Sequence, residues 1–253
     1  MAKVYLVGAG PGASDLLTLR AAKLLAEADV VFYDALVHPD TIAMATRARK
    51  IAVGKRAGHL STDQRFINRA LVEAGLRHRC VVRLKGGDPM LFGRAQEEID
   101  ALTAAGVEVE VVPGITVALA AAASLKTSLT QRGVSRSVTF ATPRLGHGLA
   151  DSRGEGDWAD AVVGSDTAIL YMAIGEAESV SSALLVRGMA ADTPLVIVEN
   201  ASLENERQIR GRLVDLPALA GEHVPGSPAI LCIGAVFAAE SGERIQLPAV
   251  IAG

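Results

Sequence analysis

The feature that most constrains the fold is an apolar run that ends abruptly at two glycines. Cys80-Val81-Val82 is typical of the end of a buried strand, and the chain then passes through Gly86-Gly87-Asp88-Pro89. A helix is predicted from Arg94 to Ala105, closed by Gly106. Such a strand exposes amide and carbonyl groups at the carboxyl end of a sheet, where open α/β sheets bind ligands. An ordinary strand-to-helix turn has the same chemistry, and this alternative stays open here.

The composition favours a sheet that is buried on both faces. Half of the 253 residues are hydrophobic but only 4% are aromatic, so the core is built from Ala, Val, Leu and Ile. This composition is typical of parallel strands covered by helices. The formal net charge of −3 argues against a general nucleic-acid-binding protein. Any site that binds an anion must therefore be a local group of cations, because the chain as a whole is not basic.

Ten short segments, most of them apolar, indicate strands, and helical segments alternate with them in the first half. The alternation predicts an α/β fold with mostly parallel sheets. Pro113-Gly114 is the predicted hinge between two α/β domains, 1–113 and 114–253. The predicted strands are Val4–Val7, Asp29–Tyr33, Lys50–Val53, Cys80–Leu84, Val107–Val112, Ser137–Ala141, Thr167–Met172, Leu195–Val198, Gln208–Arg212 and Ala229–Ala235.

Two helix starts carry capping signals. Ser14 is predicted to cap a helix from Asp15 to about Ala28. Ser61 and Gln64 fit a capping box, in which Ser61 is the N-cap and Gln64 reaches back. The Gly-rich stretch from Arg144 to Gly156 indicates a mobile loop.

The sequence contains no recognisable metal or membrane signal. Cys80 and Cys232 lie in apolar strand segments and are interpreted as buried thiols, and no CxxC, HExxH or His pair is present. No protein-bound metal is therefore expected. No apolar stretch is long enough to span a membrane, and the amino terminus lacks a signal-peptide pattern. These observations predict a cytoplasmic protein that binds neither membrane nor nucleic acid.

The first glycine loop leaves a dinucleotide site as a competing hypothesis. Gly8-Ala9-Gly10-Pro11-Gly12-Ala13 follows a strand, and Asp34 ends the next strand as a candidate ribose ligand. Pro11 removes a backbone donor from the loop, and Asp15 places a carboxylate where a phosphate would lie. A binding module without catalysis is a third hypothesis.

Several cations at the ends of predicted elements suit a substrate with many carboxylates. Each alone is more often a solvated surface charge, but guanidinium groups together bind carboxylates in a fixed two-pronged geometry. The candidates are Lys55-Arg56 with His59, Arg94, Arg132, Arg136 and Arg144.

The ordered set of motifs resembles the tetrapyrrole methylase family, the class III S-adenosylmethionine methyltransferases, along almost the whole chain. The segments that carry the resemblance are Val7 to Gly12, Leu16-Leu17-Thr18, Tyr33 to Val37, Gly54-Lys55-Arg56, Arg83 to Arg94, Val112 to Thr116, Arg132-Gly133, Ser137 to Phe140 and Tyr171-Met172.

The resemblance implies a homodimer of two-domain protomers, with a cofactor cleft between the domains. It implies methyl transfer from S-adenosylmethionine to two pyrrole carbons of uroporphyrinogen III, giving precorrin-2 in cobalamin- and sirohaem-type biosynthesis and releasing S-adenosylhomocysteine. It places Arg94, Glu97 and Met172 at the tetrapyrrole. The residues it implies for the cofactor are Pro11, Gly86, Gly87, Asp88, Thr116, Val117, Met172, Ala201 and Ala229.

Overall fold

The computed structural model describes residues 3–54, 63–144 and 157–238. The ten strands of this part are β1 (Lys3–Gly8), β2 (Val30–Tyr33), β3 (Arg49–Ala52), β4 (Cys80–Lys85), β5 (Glu108–Val112), β6 (Val138–Ala141), β7 (Thr167–Tyr171), β8 (Pro194–Glu199), β9 (Arg207–Arg212) and β10 (Ala229–Gly234). The eight α-helices are α1 (Leu19–Glu27), α2 (Pro39–Ala43), α3 (Gln64–Arg77), α4 (Ala95–Ala104), α5 (Val117–Ser124), α6 (Asp157–Val163), α7 (Ala177–Val186) and α8 (Leu216–Ala220). Every predicted strand is present, and each end lies within one residue of the predicted position.

The first sheet has the strand order β3-β2-β4-β1-β5, and all of its strand pairs are parallel. The α/β prediction is confirmed. Strand β4 lies in the centre, with Leu84 paired to Val7 on one side and to Tyr33 on the other. Val7 also pairs with Val112. The carboxyl ends of four strands therefore meet at one edge of the sheet, since parallel strands share a direction.

Both faces of this sheet are covered, because successive side chains of a strand point to opposite faces. Val81 packs in one apolar cluster with Leu71 of α3 and Leu102 of α4. Val82 packs in the other cluster with Leu25 of α1. The consecutive apolar residues Val81 and Val82 are thus explained by helices on both sides of the sheet.

The two predicted helix starts are wrong. Ser14 lies in a short 3-10 turn, Ser14–Leu16, and α1 begins only after Thr18, whose hydroxyl accepts the Ala21 N–H. Leu17 has an extended backbone, which separates the two segments. At α3 the N-cap is Asp63, whose carboxylate accepts the Arg65 N–H.

The second sheet has the order β6-β7-β10-β8-β9, and its β6–β7 pair is parallel. The chain divides into two compact units. The first holds the described residues of Met1–Ser128, Val198–Gln208 and Glu222–Ile230, and the second those of Leu129–Ile197, Ile209–Gly221 and Leu231–Gly253. The predicted domain boundary between residues 113 and 114 stays a proposal. The last strand of the first sheet, β5, ends just before it, at Val112. None of the helices in the described ranges is both long and apolar enough to cross a bilayer.

Candidate active site

Three turns of the first unit meet at the carboxyl edge of its sheet. The turn after β4 forms an antiparallel bridge to the turn after β1: the Gly87 N–H donates to the Gly10 carbonyl at 2.7 Å, and the Gly10 N–H donates to the Gly87 carbonyl at 3.2 Å. The Asp88 carboxylate accepts the Gly114 N–H, from the turn after β5, at 2.9 Å. The register of the strands thus joins segments that are far apart in sequence.

Three glycines of this edge, Gly8, Gly86 and Gly114, are required by close packing. A Cβ atom on Gly8 would lie 2.6 Å from the Gly114 Cα atom, and one on Gly114 would lie 2.3 Å from the Gly87 carbonyl oxygen. A Cβ on Gly86 would lie 2.8 Å from the Leu36 Cβ, and the Gly86 N–H donates to Asp34. Real Cβ atoms do not approach other atoms this closely, so these positions exclude larger residues.

Gly87 differs from its neighbours. Its φ of +69° favours glycine, yet a Cβ atom there would meet nothing nearer than the Thr116 Cα atom, at 4.0 Å. Thr116 is the N-cap residue of α5 by its extended backbone, and Val117 begins the helix. The space beside Gly87 and Thr116 is therefore open, and a ligand there could contact the Gly87 backbone directly because glycine has no side chain.

Asp88 is held by the protein itself. Its Oδ1 atom accepts the Met90 N–H at 2.8 Å, and its Oδ2 atom accepts the Gly114 N–H. A carboxylate has further lone pairs, so a ligand donor remains possible at the same oxygens. Asp88 therefore fixes the shape of the turn in addition to any contact with a ligand.

A distant segment joins the first glycine loop. The Ala13 N–H donates to the Ser202 hydroxyl at 3.1 Å, although 189 residues separate the two. The Asn200 N–H donates to the Pro228 carbonyl, immediately before Ala229. The structure thus brings Ala201 and Ala229 into the same unit as Pro11. Ala201 is almost fully buried, at 2% exposed, whereas Pro11 and Ala229 are half-buried.

Arg94 and Glu97 lie at the start of α4. Arg94 is its N-cap residue with a left-handed backbone (φ 54°), and its guanidinium donates two hydrogen bonds to Glu97, at 2.7 and 2.8 Å. The Glu97 carboxylate raises the pKa of Arg94. The Arg94 side chain is 59% exposed. An exposed ion pair contributes little stability, so a substrate carboxylate can replace Glu97 as the partner of Arg94.

Met172 belongs to the second unit and directly follows β7. Its backbone is left-handed (φ 56°) and its side chain remains 45% exposed. The preceding Tyr171 ring packs edge-on against Phe140, with centroids 6.2 Å apart. A strained, exposed methionine at the end of a strand is more typical of a functional position than of core packing.

Comparison with known proteins identifies the family. A family model for Tetrapyrrole (Corrin/Porphyrin) Methylases matches residues 3–217. The chain belongs to this family. The predicted resemblance is thereby confirmed, and the protein is an enzyme of the methyltransferase class.

Individual relatives agree with this family. The chain is 44% identical to a uroporphyrinogen-III C-methyltransferase of Pseudomonas aeruginosa, over 98% of this chain and 99% of the relative. It is 45% identical to a siroheme synthase of Zymomonas mobilis over 94% of this chain, but it spans only 50% of that protein. Among solved structures, a uroporphyrin-III C-methyl transferase of Thermus thermophilus in complex with S-adenyl homocysteine matches with a TM-score of 0.79 and 39% identity, over 92% of this chain and 98% of that one.

The dinucleotide hypothesis is not supported in this tetrapyrrole methylase. Asp34, the candidate ribose ligand, accepts the N–H groups of Leu36 and Gly86. The first glycine loop leads into a 3-10 turn and not directly into α1, so the phosphate-binding helix start that the fingerprint needs is missing there.

Only some of the cationic residues predicted to bind the substrate lie within the described residues. Arg132, Arg136 and Arg144 are exposed residues of the second unit. The basic loop Lys55–His59, Ser61 and the predicted loop beyond Arg144 lie outside the described residues. Within the described ranges, no group of three His, Cys, Asp or Glu side chains is placed to hold a metal.

Sequence reasoning missed a buried ionic cluster beneath the turn that joins β4 to α4. Glu98 is fully buried, and its carboxylate accepts from Arg83 Nε, Lys85 Nζ and Gln64 Nε2, each at 3.1 Å. Burial, together with the nearby Arg83 charge, lowers the pKa of Lys85. One signal was available in the sequence: Arg83 and Lys85 are two residues apart in a buried strand, so both point to one face and need a shared acid.

Proposed function

We propose that this tetrapyrrole methylase transfers methyl groups from S-adenosylmethionine to two pyrrole carbons of uroporphyrinogen III, giving precorrin-2. The observation that carries the proposal is the open face of Gly87 beside Thr116, in a chain that aligns almost end to end with the Pseudomonas C-methyltransferase. Siroheme synthases among the relatives support a role in the sirohaem branch of tetrapyrrole biosynthesis.

The residues at the sheet edge fit the methyl donor. Small side chains and backbone groups suit a flat, weakly charged adenosyl ligand, and we assign its site to Gly86, Gly87, Asp88, Thr116 and Val117, with Pro11, Ala201, Ala229 and Met172. Since Ala201 is nearly inaccessible, we expect its neighbours Asn200 and Ser202 to present the ligand contacts of that turn. The bound donor supplies an already activated sulfonium methyl group.

The remaining task of the protein is orientation. Uroporphyrinogen III is a flexible macrocycle ringed with carboxylates, and Arg94 offers an exposed two-pronged donor at the end of the turn that holds the cofactor. Correct alignment of the reacting atoms supplies roughly 7–11 kcal/mol in favourable cases. We therefore assign substrate orientation to Arg94, Glu97 and Met172.

The activity assay uses purified protein, S-adenosylmethionine and uroporphyrinogen III under anaerobic conditions, with mass detection of the tetrapyrrole. We expect species with one and then two added methyl groups, and release of S-adenosylhomocysteine. In a parallel thermal-shift series, S-adenosylhomocysteine should raise the melting temperature, whereas NAD and NADP should not. Methylation of a different tetrapyrrole, with uroporphyrinogen III left unchanged, would redirect the substrate assignment.

The family resemblance also supports a homodimer in the cytoplasm. The free thiols of Cys80 and Cys232 agree with a reducing compartment. Obligate interfaces commonly bury more than about 2,000 Å² of surface, so the dimer should persist on dilution. Sedimentation at micromolar concentration should give twice the 26.2 kDa chain mass. A stable species at the chain mass would contradict the dimer.

A further inference from the structure

One buried ion pair joins the two ends of a segment that contains half of the proposed site residues of the first unit. Lys85 is the last residue of β4 and Glu98 lies in the first turn of α4, and their Nζ and Oε2 atoms are 3.1 Å apart. The segment between them, residues 86–97, contains Gly86, Gly87, Asp88, Arg94 and Glu97. We call this ion pair the clasp.

Glu98 accepts from two cations, Lys85 and Arg83, and Arg83 also lies 3.8 Å from the Asp34 carboxylate. The Glu98 Oε1 atom already accepts from Arg83 and from Gln64 of α3. Lys85 is only 4% exposed, so its ammonium group loses its hydration for a carboxylate that is already paired. Replacing a whole buried ion pair by apolar side chains is often neutral or even stabilising, so packing alone does not require a charged pair here. The ammonium group is therefore better explained by what it positions than by the stability it adds.

The segment rests directly on the Lys85 side chain. A Cβ atom on Gly93 would lie 3.1 Å from the Lys85 Cε atom and 2.6 Å from the Pro89 carbonyl oxygen, so the backbone of the segment passes close over the lysine. Phe92 and Arg94, on either side of Gly93, both have left-handed backbones, with φ of 52° and 54°. Such conformations persist only where the surroundings hold them.

We propose that the Lys85–Glu98 clasp positions the Arg94–Glu97 pair against the Gly87 turn, and that the rate of methyl transfer depends on it. The kinetic part of this inference rests on the proposed function. Lys85 and Glu98 are positioning residues, since both are buried and act through Arg94. Opening the clasp loosens Arg94, while the backbone bridge between Gly87 and Gly10 keeps Gly87 in place.

The test compares Lys85→Met with the wild type and with Lys3→Met. Lys3 Nζ contacts Glu108 and Glu110, each at 2.8 Å, at the opposite end of the sheet, so the control also removes a paired lysine. In Lys85→Met we expect amide exchange of residues 90–97 to speed up about tenfold, with Gly87 and β5 unchanged. We expect kcat to fall about tenfold, with KM and S-adenosylhomocysteine affinity within about threefold of wild type. Lys3→Met should match the wild type in kcat, KM, S-adenosylhomocysteine affinity and the exchange of residues 90–97; exchange of β5 is not compared in this variant, because both partners of Lys3 lie in that strand.

Three results would overturn the proposed positioning role of the clasp. The first is unchanged exchange of residues 90–97 in a folded Lys85→Met protein. The second is faster exchange with unchanged kcat, which leaves only a structural role. The third is a parallel loss of kcat and S-adenosylhomocysteine affinity, which assigns the lysine to the cofactor turn. If Lys85→Met does not fold, Lys85→Gln serves for the same measurements. If the wild type fails to methylate uroporphyrinogen III, the proposed function fails while the exchange experiment still decides the clasp.

Discussion

Arg94→Ala should cut the turnover of uroporphyrinogen III at least about tenfold, because loss of one charge-assisted contact costs about 1.5–3 kcal/mol and more if the reacting carbon is also misaligned. The affinity for S-adenosylhomocysteine should stay nearly intact, because Arg94 is expected to contact the tetrapyrrole and not the cofactor. Steady-state kinetics with mass detection gives the first quantity and calorimetry the second. Arg94→Lys should restore only part of the activity, since an ammonium group lacks the two-pronged geometry.

The chain offers a closely matched control for this experiment. Arg212 also forms a two-pronged ion pair three residues along the chain, with Asp215 at 2.8 and 3.2 Å, and its side chain is also 59% exposed. Arg212→Ala removes the same kind of surface pair and should leave turnover unchanged. If Arg94→Ala instead abolishes cofactor affinity and spares tetrapyrrole binding, Arg94 belongs to the cofactor site. Equal losses in the two variants would point to a general effect of surface charge.

Gly87→Ala should lower the affinity for S-adenosylhomocysteine by about tenfold or more, equivalent to about 1.4 kcal/mol. The new methyl group would project into the open space beside Thr116 where the ligand is expected to meet backbone. The left-handed backbone adds a folding cost of about 1–2 kcal/mol, which lowers the melting temperature without the ligand. Calorimetry on folded protein separates the two effects.

Gly106 is the matched control for that folding cost. It has the same φ of +69°, no atom within 4 Å of an added Cβ, and a position just beyond the far end of α4. Gly106→Ala should therefore cost a similar amount of stability and leave ligand affinity unchanged. Unaltered binding in a folded Gly87→Ala protein would move the cofactor site away from this turn.

The strand positions were predictable because local chemistry decides them. Most strands are apolar runs bounded by Gly, Pro or charged residues, whereas β3 and β9 are largely polar and exposed. The turn after β4 was also predicted to expose its backbone, since Gly86 and Gly87 directly follow a buried apolar strand. The helix starts at Ser14 and Ser61 were wrong because capping residues are common, and the extended backbone of Leu17 left no trace in the sequence.

The sequence by itself thus determined the α/β class, the ten strands, the family and the glycine turn at the end of β4. Only the tertiary structure decided which turns meet, that Gly87 is open where Gly8 and Gly114 are closed, and that Ser202 accepts the Ala13 N–H across 189 residues. It also decided that Glu98 is shared by Arg83 and Lys85. The physical reason is that a residue's type fixes its local preference and hydrogen-bonding capacity, whereas its partner depends on strand order and register, which are properties of the assembled sheet.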